Sequence, residues 1–290
     1  MNTMWSTYVQ RVGTLYQSRA LRFSDRFGDR YRAAFNIGDR KRILEIGCGP
    51  GALCGALRRW YPGAEIIGTD PDSAFIAFAR ERVPGVTFAE EDATCLSYPD
   101  NSFDVTISNT VAEHIEPGAF FGEQYRVLKP GGVCLVLSVR KGVNIAAPCV
   151  MEENELESAV WARVEERMTE AQAARKVCQY PMSEAEYPRV MERYGFREVS
   201  TEYLTVNLTP DDPCYPPEMA HAMIEANRRN DLDVLDILEA IASDLVTPAE
   251  LASLRALTNA RFDKRLALYD AGEKQWDVNM TLLMVLRGVK

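Results

Sequence analysis

At 290 residues, 47% hydrophobic and 26% charged, the chain is long enough to bury one large core with elaborations. Its 33 Lys+Arg against 42 Asp+Glu give a net charge of −9, which argues against a phosphate-backbone partner and so against nucleic acid. The seven cysteines form no Cys-x-x-Cys pair, no stretch reaches the roughly 18 apolar residues of a membrane span, and the N-terminus lacks a signal-peptide pattern; the expectation is a cytoplasmic protein with no membrane contact.

Residues 1–40 read as two helices, an N-terminal cap. Tyr8, Val9, Val12, Leu15 and Tyr16, then Leu21, Phe23, Phe27, Tyr31 and Phe35, recur at near-helical spacing, and Gly38-Asp39 closes the segment. The apolar pair Ile43-Leu44 opens a strand, followed by Glu45-Ile46-Gly47-Cys48-Gly49-Pro50-Gly51 and by a helix start at Ala52. A strand, a glycine turn and a helix N-terminus form a nucleotide-cofactor site. The glycines let the backbone turn tightly and approach a ligand, and the helix end offers free N–H groups. Gly47-x-Gly49-x-x-Ala52 also fits the loose dinucleotide pattern, so the glycines alone do not name the cofactor. Glu45, two residues before the first glycine, suits a cationic ligand group and opposes a pyrophosphate.

Ala64–Asp70 reads as a second strand ending in an acid. Asp70 falls at about the interval after the glycines where a carboxylate meets ribose hydroxyls. Val86–Ala89 is a short third strand, followed by Glu90-Glu91-Asp92-Ala93, and Ser102–Asn109 is the fourth. Arg126–Gly132 turns into a fifth strand at Val133–Val139. Strands alternating with helices imply a doubly wound parallel sheet. Beyond it a helix is expected over Met151–Val177, and another from Ser183, with Glu186 in a capping-box arrangement, to Tyr194. Phe196–Asn207 reads as strand six and Val278–Leu286 as strand seven. Between them, helices are expected near 216–229, 231–244 and 247–271, the last opened by Thr247-Pro248-Ala249-Glu250.

The stretch Glu45–Gly51, taken with Asp70, Asp92, the strand ending at Asn109 and Arg126–Gly132, resembles the class I S-adenosylmethionine (SAM)-dependent methyltransferases, in the branch acting on small molecules. The resemblance covers about residues 40–140 strongly and the last two strands weakly. It implies an α/β, Rossmann-like, doubly wound sheet of seven strands, mostly parallel, with an antiparallel last strand inside the sheet edge and helical insertions. The core would be 41–210 and 276–290, with a helical insertion at about 151–182 and another at 211–275. Glu45, Gly47, Cys48, Gly49 and Gly51 would cradle the methionine portion of SAM. Asp70, with Pro71, would hold the ribose, Asp92 with Ala93 the adenine, and Asn109 the rim beside the methyl. The activity implied is methyl transfer to an O, N or S atom of a small-molecule acceptor. A non-catalytic SAM-binding or assembly protein is the alternative, and an NAD-linked oxidoreductase is disfavoured by Glu45.

A protonated acceptor would need a general base. The two histidines are His114 and His221, and His114, just after strand four, is the base candidate; its other reading is a residue that packs or caps the next helix. Glu113-His114 resembles the Glu-x-x-Glu-His metal pattern of certain ubiquinone-pathway O-methyltransferases, but the first acid falls at Thr110, so no metal is expected. Asn109-Thr110-Val111-Ala112 departs from the Asn-Pro-Pro-Tyr of amino-methyltransferases of DNA bases, and Pro148-Cys149 lies too late for a cytosine-C5 nucleophile. Tyr8 and Tyr16 are candidates to approach the methyl group from the N-terminal helices. The 211–275 insertion is expected to act as a lid that brings Met219, Met223, Ile224 and Leu238 within reach of a ligand while most of them pack against one another, or as a packing or homodimer subdomain. A Gly-Ser turn in place of 214–273 is expected to leave a folded core.

Overall fold

The computed structural model describes residues 5–152, 154–174 and 177–290, the side chains of Tyr8, Gln172 and Ala173 excepted. The N-terminal cap is α1 (Trp5–Tyr8), α2 (Val12–Arg22), a 3-10 turn and α3 (Gly28–Phe35). The sheet and its crossovers follow: β1 (Arg42–Ile46), α4 (Ala52–Trp60), β2 (Glu65–Asp70), α5 (Ser73–Arg82), β3 (Thr87–Glu90), β4 (Phe103–Asn109), a 3-10 turn at Ala112–His114, α6 (Pro117–Val127) and β5 (Leu128–Ile145). The C-terminal part is α7 (Glu155–Ala174), α8 (Glu186–Arg193), β6 (Arg197–Leu208), α9 (Pro217–Ile241), α10 (Pro248–Asp270) and β7 (Val278–Val289).

The sheet has seven strands in the order β3-β2-β1-β4-β5-β7-β6. β1 to β5 pair in parallel, and β7 lies antiparallel between β5 and β6, as the resemblance implies. The strand order reverses between β1 and β4, which puts a crevice at the carboxyl ends of those two strands. Both faces are covered, so β5 is a continuous apolar run over Val133–Leu137, while β4 alternates and buries the small polar Thr106 and Ser108 on its second face. On one face Ile43, Val105, Ile107, Leu135 and Leu137 meet Phe27, Tyr31, Leu53, Leu57 and Ile76. On the other, Cys134, Val136, Met284 and Leu286 meet Phe120, Phe121, Tyr187 and Met191.

Three expectations are corrected. The strand predicted to end at Val139 runs on to Ile145, because β7 keeps pairing past a bulge at Val139/Lys141, out to Ile145 opposite Val278. The helices expected at 216–229 and 231–244 are one helix, α9; no glycine or proline interrupts the sequence between Glu218 and Ile241. The proposed lid residues face protein. Met223, Ile224 and Leu238 are 3%, 0% and 0% exposed, Met223 in the main core and Leu238 in a separate cluster with Val160, Val164 and Leu254 of α7 and α10. Excising 214–273 would therefore uncover the core rather than leave it folded. The Thr247–Glu250 capping box forms as read, and α9 lies across α2, the helix that covers the glycine turn. Of the helix expected over 151–177, residues 175 and 176 lie outside the described residues. Among the described residues, no helix is long and apolar enough to cross a membrane.

Candidate active site

The glycine turn hangs from the end of β1. Gly47, Gly49 and Gly51 have φ of 67°, 52° and 85°, in the left-handed region that L side chains rarely adopt. A Cβ on Gly47 would stand 2.5 Å from Val111, and one on Gly51 2.9 Å from the Phe88 ring. Packing therefore requires both glycines. A Cβ on Gly49 would meet only Leu15 of α2, at 3.5 Å, so this glycine turns its open side toward the cap helix. Cys48 donates its N–H to the Thr69 carbonyl at 2.8 Å, which ties the turn to β2. Gly51 then stands as N-cap of α4.

Asp70 closes the turn from the side. Its Oδ2 accepts the Gly49 N–H at 2.9 Å and its Oδ1 accepts the Asp72 N–H at 2.9 Å, across Pro71. Burial pushes its carboxyl up to about 6. Asp72 in turn accepts from the Ser6 N–H at 2.9 Å and the Ser6 hydroxyl at 3.0 Å. This clamp holds α1 over the crevice, a connection for which the sequence analysis had no signal. Asp92 follows β3 and is exposed; its Oδ1 takes the Thr94 N–H and hydroxyl at 2.8 and 2.7 Å, which hold it below the usual carboxylate range. Ala93 beside it is 8% exposed. Asn109 ends β4 and lines a small cleft with Arg19, Arg22, Val139 and Thr281. The predicted cofactor residues thus gather at the carboxyl ends of β1 to β4, on both sides of the strand-order reversal.

Glu45 lies beneath the turn, 2% exposed, and its Oε2 has no hydrogen-bond partner. Burial pushes its carboxyl up to about 8, against the stabilising contact of the Cys54 thiol. A carboxyl whose pKa is raised on folding contributes stability at low pH and loses it as pH rises from the ordinary value toward about 8. Glu45→Gln should therefore melt above the parent near pH 8.5 and with it near pH 5. Thermal unfolding across that range checks this; a gap that does not change with pH would separate Glu45 from the linkage.

His114 ends the 3-10 turn after β4. Its Nδ1 accepts the Cys178 N–H at 3.0 Å, and its ring meets Trp5 of α1 edge-on at 4.8 Å. Burial lowers its pKa from the ordinary histidine value. Beside it, Glu113 keeps a buried Oε2 with no partner, a polar group the sequence analysis weighed only as half of a metal pattern. Among the described residues no three His, Cys, Asp or Glu side chains gather as metal ligands would. The Tyr16 ring packs on Phe78 of α5 at 5.3 Å, and Tyr16 is not among the cleft-lining residues; the Tyr8 side chain lies outside the described residues. His221 pairs with Asp270 at 2.7 Å, joining α9 to α10.

Comparison with known proteins agrees with this geometry. Residues 44–136 match the family described as "Methyltransferase domain". The fatty-acid O-methyltransferase of Mycolicibacterium smegmatis is 38% identical over 109 residues, 36% of this chain and 39% of that protein. The demethylmenaquinone methyltransferase of Thermus thermophilus is 40% identical over 102 residues, 33% of this chain and 46% of that protein. The matches thus span less than half of either relative. Phosphoethanolamine N-methyltransferase 2 of Haemonchus contortus, solved in complex with S-adenosyl-L-methionine, superposes with a TM-score of 0.53 at 18% identity, covering 100% of this chain and 59% of that one. The fold is that of the class I SAM-dependent methyltransferases. Residues 44–136 match the methyltransferase domain of such proteins.

Proposed function

We propose that the chain transfers the methyl group of S-adenosyl-L-methionine to an O, N or S atom of a small organic acceptor. The observation that carries this is Glu45, a buried acid with an unpartnered oxygen beneath the glycine turn. A cation-bearing ligand satisfies that oxygen and draws the carboxyl, held neutral by burial, back to its charged form; a pyrophosphate gains nothing from a charged acid there, which disfavours the NAD-linked reading. Glu45, Gly47, Cys48, Gly49 and Gly51 would hold the methionine portion. Asp70 and Pro71 would face the ribose, Asp92 and Ala93 the adenine, and Asn109 the rim where the acceptor enters. SAM supplies, when bound, a methyl carbon made electrophilic by its sulfonium. The chain's own part is to hold the acceptor in line and to exclude water, which α1 and α2 do from above, and such positioning supplies much of the acceleration. His114 is kept as the base, on the condition that the Cys178 N–H releases Nδ1.

Asp70→Ala should weaken SAM binding by roughly 1.5–3 kcal/mol, the scale of lost hydrogen bonds to a charged group. Calorimetric titration of the folded variant, with NAD as the competing ligand class on the parent, is the measurement. SAM affinity equal to the parent's would take Asp70 out of the site. Heat from NAD but none from SAM would reverse the cofactor assignment.

A further inference from the structure

Arg19 and Arg22 stand one turn apart on α2 and both line the cleft that contains Asn109. The remaining wall is largely apolar: Phe23 from the cap, Val139 of β5, Val206 of β6 and Leu283 of β7. Leu15, one turn before Arg19, lies against Gly49, so α2 runs from the glycine turn to this cleft.

Several part-buried arginines elsewhere in the fold are paired. Arg126, Arg228, Arg255, Arg261 and Arg265 each meet a carboxylate within 3.0 Å. No carboxylate among the described residues forms an ion pair with Arg19 or Arg22. Glu113 acts on Arg19 as an opposite charge from outside ion-pair range, and the hydroxyl of Tyr31 is the other favourable neighbour. Burial first, and then the adjacent Arg22, push Arg19 down to about 9. Both side chains sit in the last turn of the helix, where the carbonyl ends partly stabilise a cation. That does not neutralise two guanidiniums facing an apolar wall. Packing alone would be served better by two leucines, as an unpaired charge held partly out of water is costly.

We propose that Arg19 and Arg22 are the binding site for the oxyanion head of the acceptor, so that the substrate class is a small organic acid, a carboxylate or phosphate monoester with an apolar body. The inference rests on the methyl-transfer reading for the word acceptor. Two guanidiniums present donors in planar forks that match a carboxylate or phosphate, and the apolar wall receives the body. Asn109 lines the same cleft, so a ligand anchored by its head on the arginines lies beside the rim where the methyl is expected.

The test uses the full chain and four probes that share one six-carbon body: hexanoate, hexyl phosphate, hexylamine and hexanol. Ligand-observed NMR reports binding, and SAM binding is measured on the same samples by calorimetry. Hexanoate or hexyl phosphate should bind, whichever binds more tightly naming the head group, with hexylamine and hexanol at least tenfold weaker. Arg19→Gln and Arg22→Gln should each weaken the anion tenfold or more and leave SAM affinity within about twofold. Arg19→Lys, which keeps the charge, should retain part of the affinity and guards against loss by misfolding. Anion binding that survives both glutamine variants, equal binding of hexanol, or no anion binding by a protein that binds SAM would each overturn the proposal. A parent that binds the anion but not SAM would leave the arginine site standing and remove the methyl-transfer reading instead.

Discussion

Arg265→Ala should lower the unfolding free energy by about 3–5 kcal/mol, the usual cost of removing one partner from a buried ion network. Arg265 is 0% exposed. Its guanidinium donates to Asp211 at 2.8 Å and to Asp277 at 2.6 and 3.0 Å. Asp211 follows the end of β6, Asp277 precedes β7, and Arg265 is on α10, so three side chains fasten the helical insertion to both ends of the connection it fills. Asp211 also accepts the N–H groups of Gln275 and Trp276 at 2.8 and 2.7 Å, which orients the chain into β7. Alanine at 265 leaves two buried carboxylates facing each other with no cation. The charge-neutral combination Arg265→Met, Asp211→Asn, Asp277→Asn should recover a large part of the loss, since the penalty is the uncompensated charge. Urea unfolding of the three proteins decides it. A loss under about 1 kcal/mol for Arg265→Ala would mean that water reaches the two acids and that the network is not a fastening.

The fold was legible where chemistry is local in sequence. Gly47-x-Gly49-x-Gly51 demands left-handed backbone, and that demand fixed β1, the turn and α4 before any tertiary contact was known. Asp70 and Asn109 stand at strand ends, so their places at the crevice follow once the strands are read. Thr247-Pro248-Ala249-Glu250 stated its own helix start, and the capping box is present. What stayed hidden depends on partners distant in sequence. Arg140-Lys141-Gly142 reads as a strand end, yet β7 holds it in the sheet. Asp211, Arg265 and Asp277 lie in three separate stretches, and nothing in any of them announces the other two. Arg19 and Arg22 look like the solvated side of an amphipathic helix until α9 and the sheet are seen to close around α2. Ser6 and Asp72 meet across 66 residues, which a helix pattern does not reveal. Even so, Arg19 and Arg22 fall at i+4 and i+7 from the buried Leu15 and so share its face of the helix, which was a readable signal.

His114→Ala should lower turnover by about 10²–10⁴ with little change in SAM affinity, if the imidazole takes the acceptor's proton. The geometry makes that condition sharp. Nδ1 accepts the Cys178 N–H, so the neutral ring carries its proton on Nε2 and presents a donor there. To act as base, the ring must lose the Cys178 contact and expose Nδ1. If His114 instead only anchors the 178 segment and positions the acceptor, an acceptor atom at the same place serves equally well. His114→Gln separates the two, because its amide oxygen can accept the Cys178 N–H but takes no proton at neutral pH. A base predicts glutamine as slow as alanine. It also predicts an acid limb in kcat/KM below the ordinary histidine range, near pH 6.5, since burial lowers this ring's pKa, and the loss of that limb in both variants. A positioning residue predicts glutamine close to the parent and an unchanged pH profile. Rapid-mix turnover with labelled SAM, across about pH 5 to 8, reads both. Recovery by glutamine would return His114 to positioning and leave Glu113, with its buried unpartnered oxygen next to it, as the group to test for proton transfer.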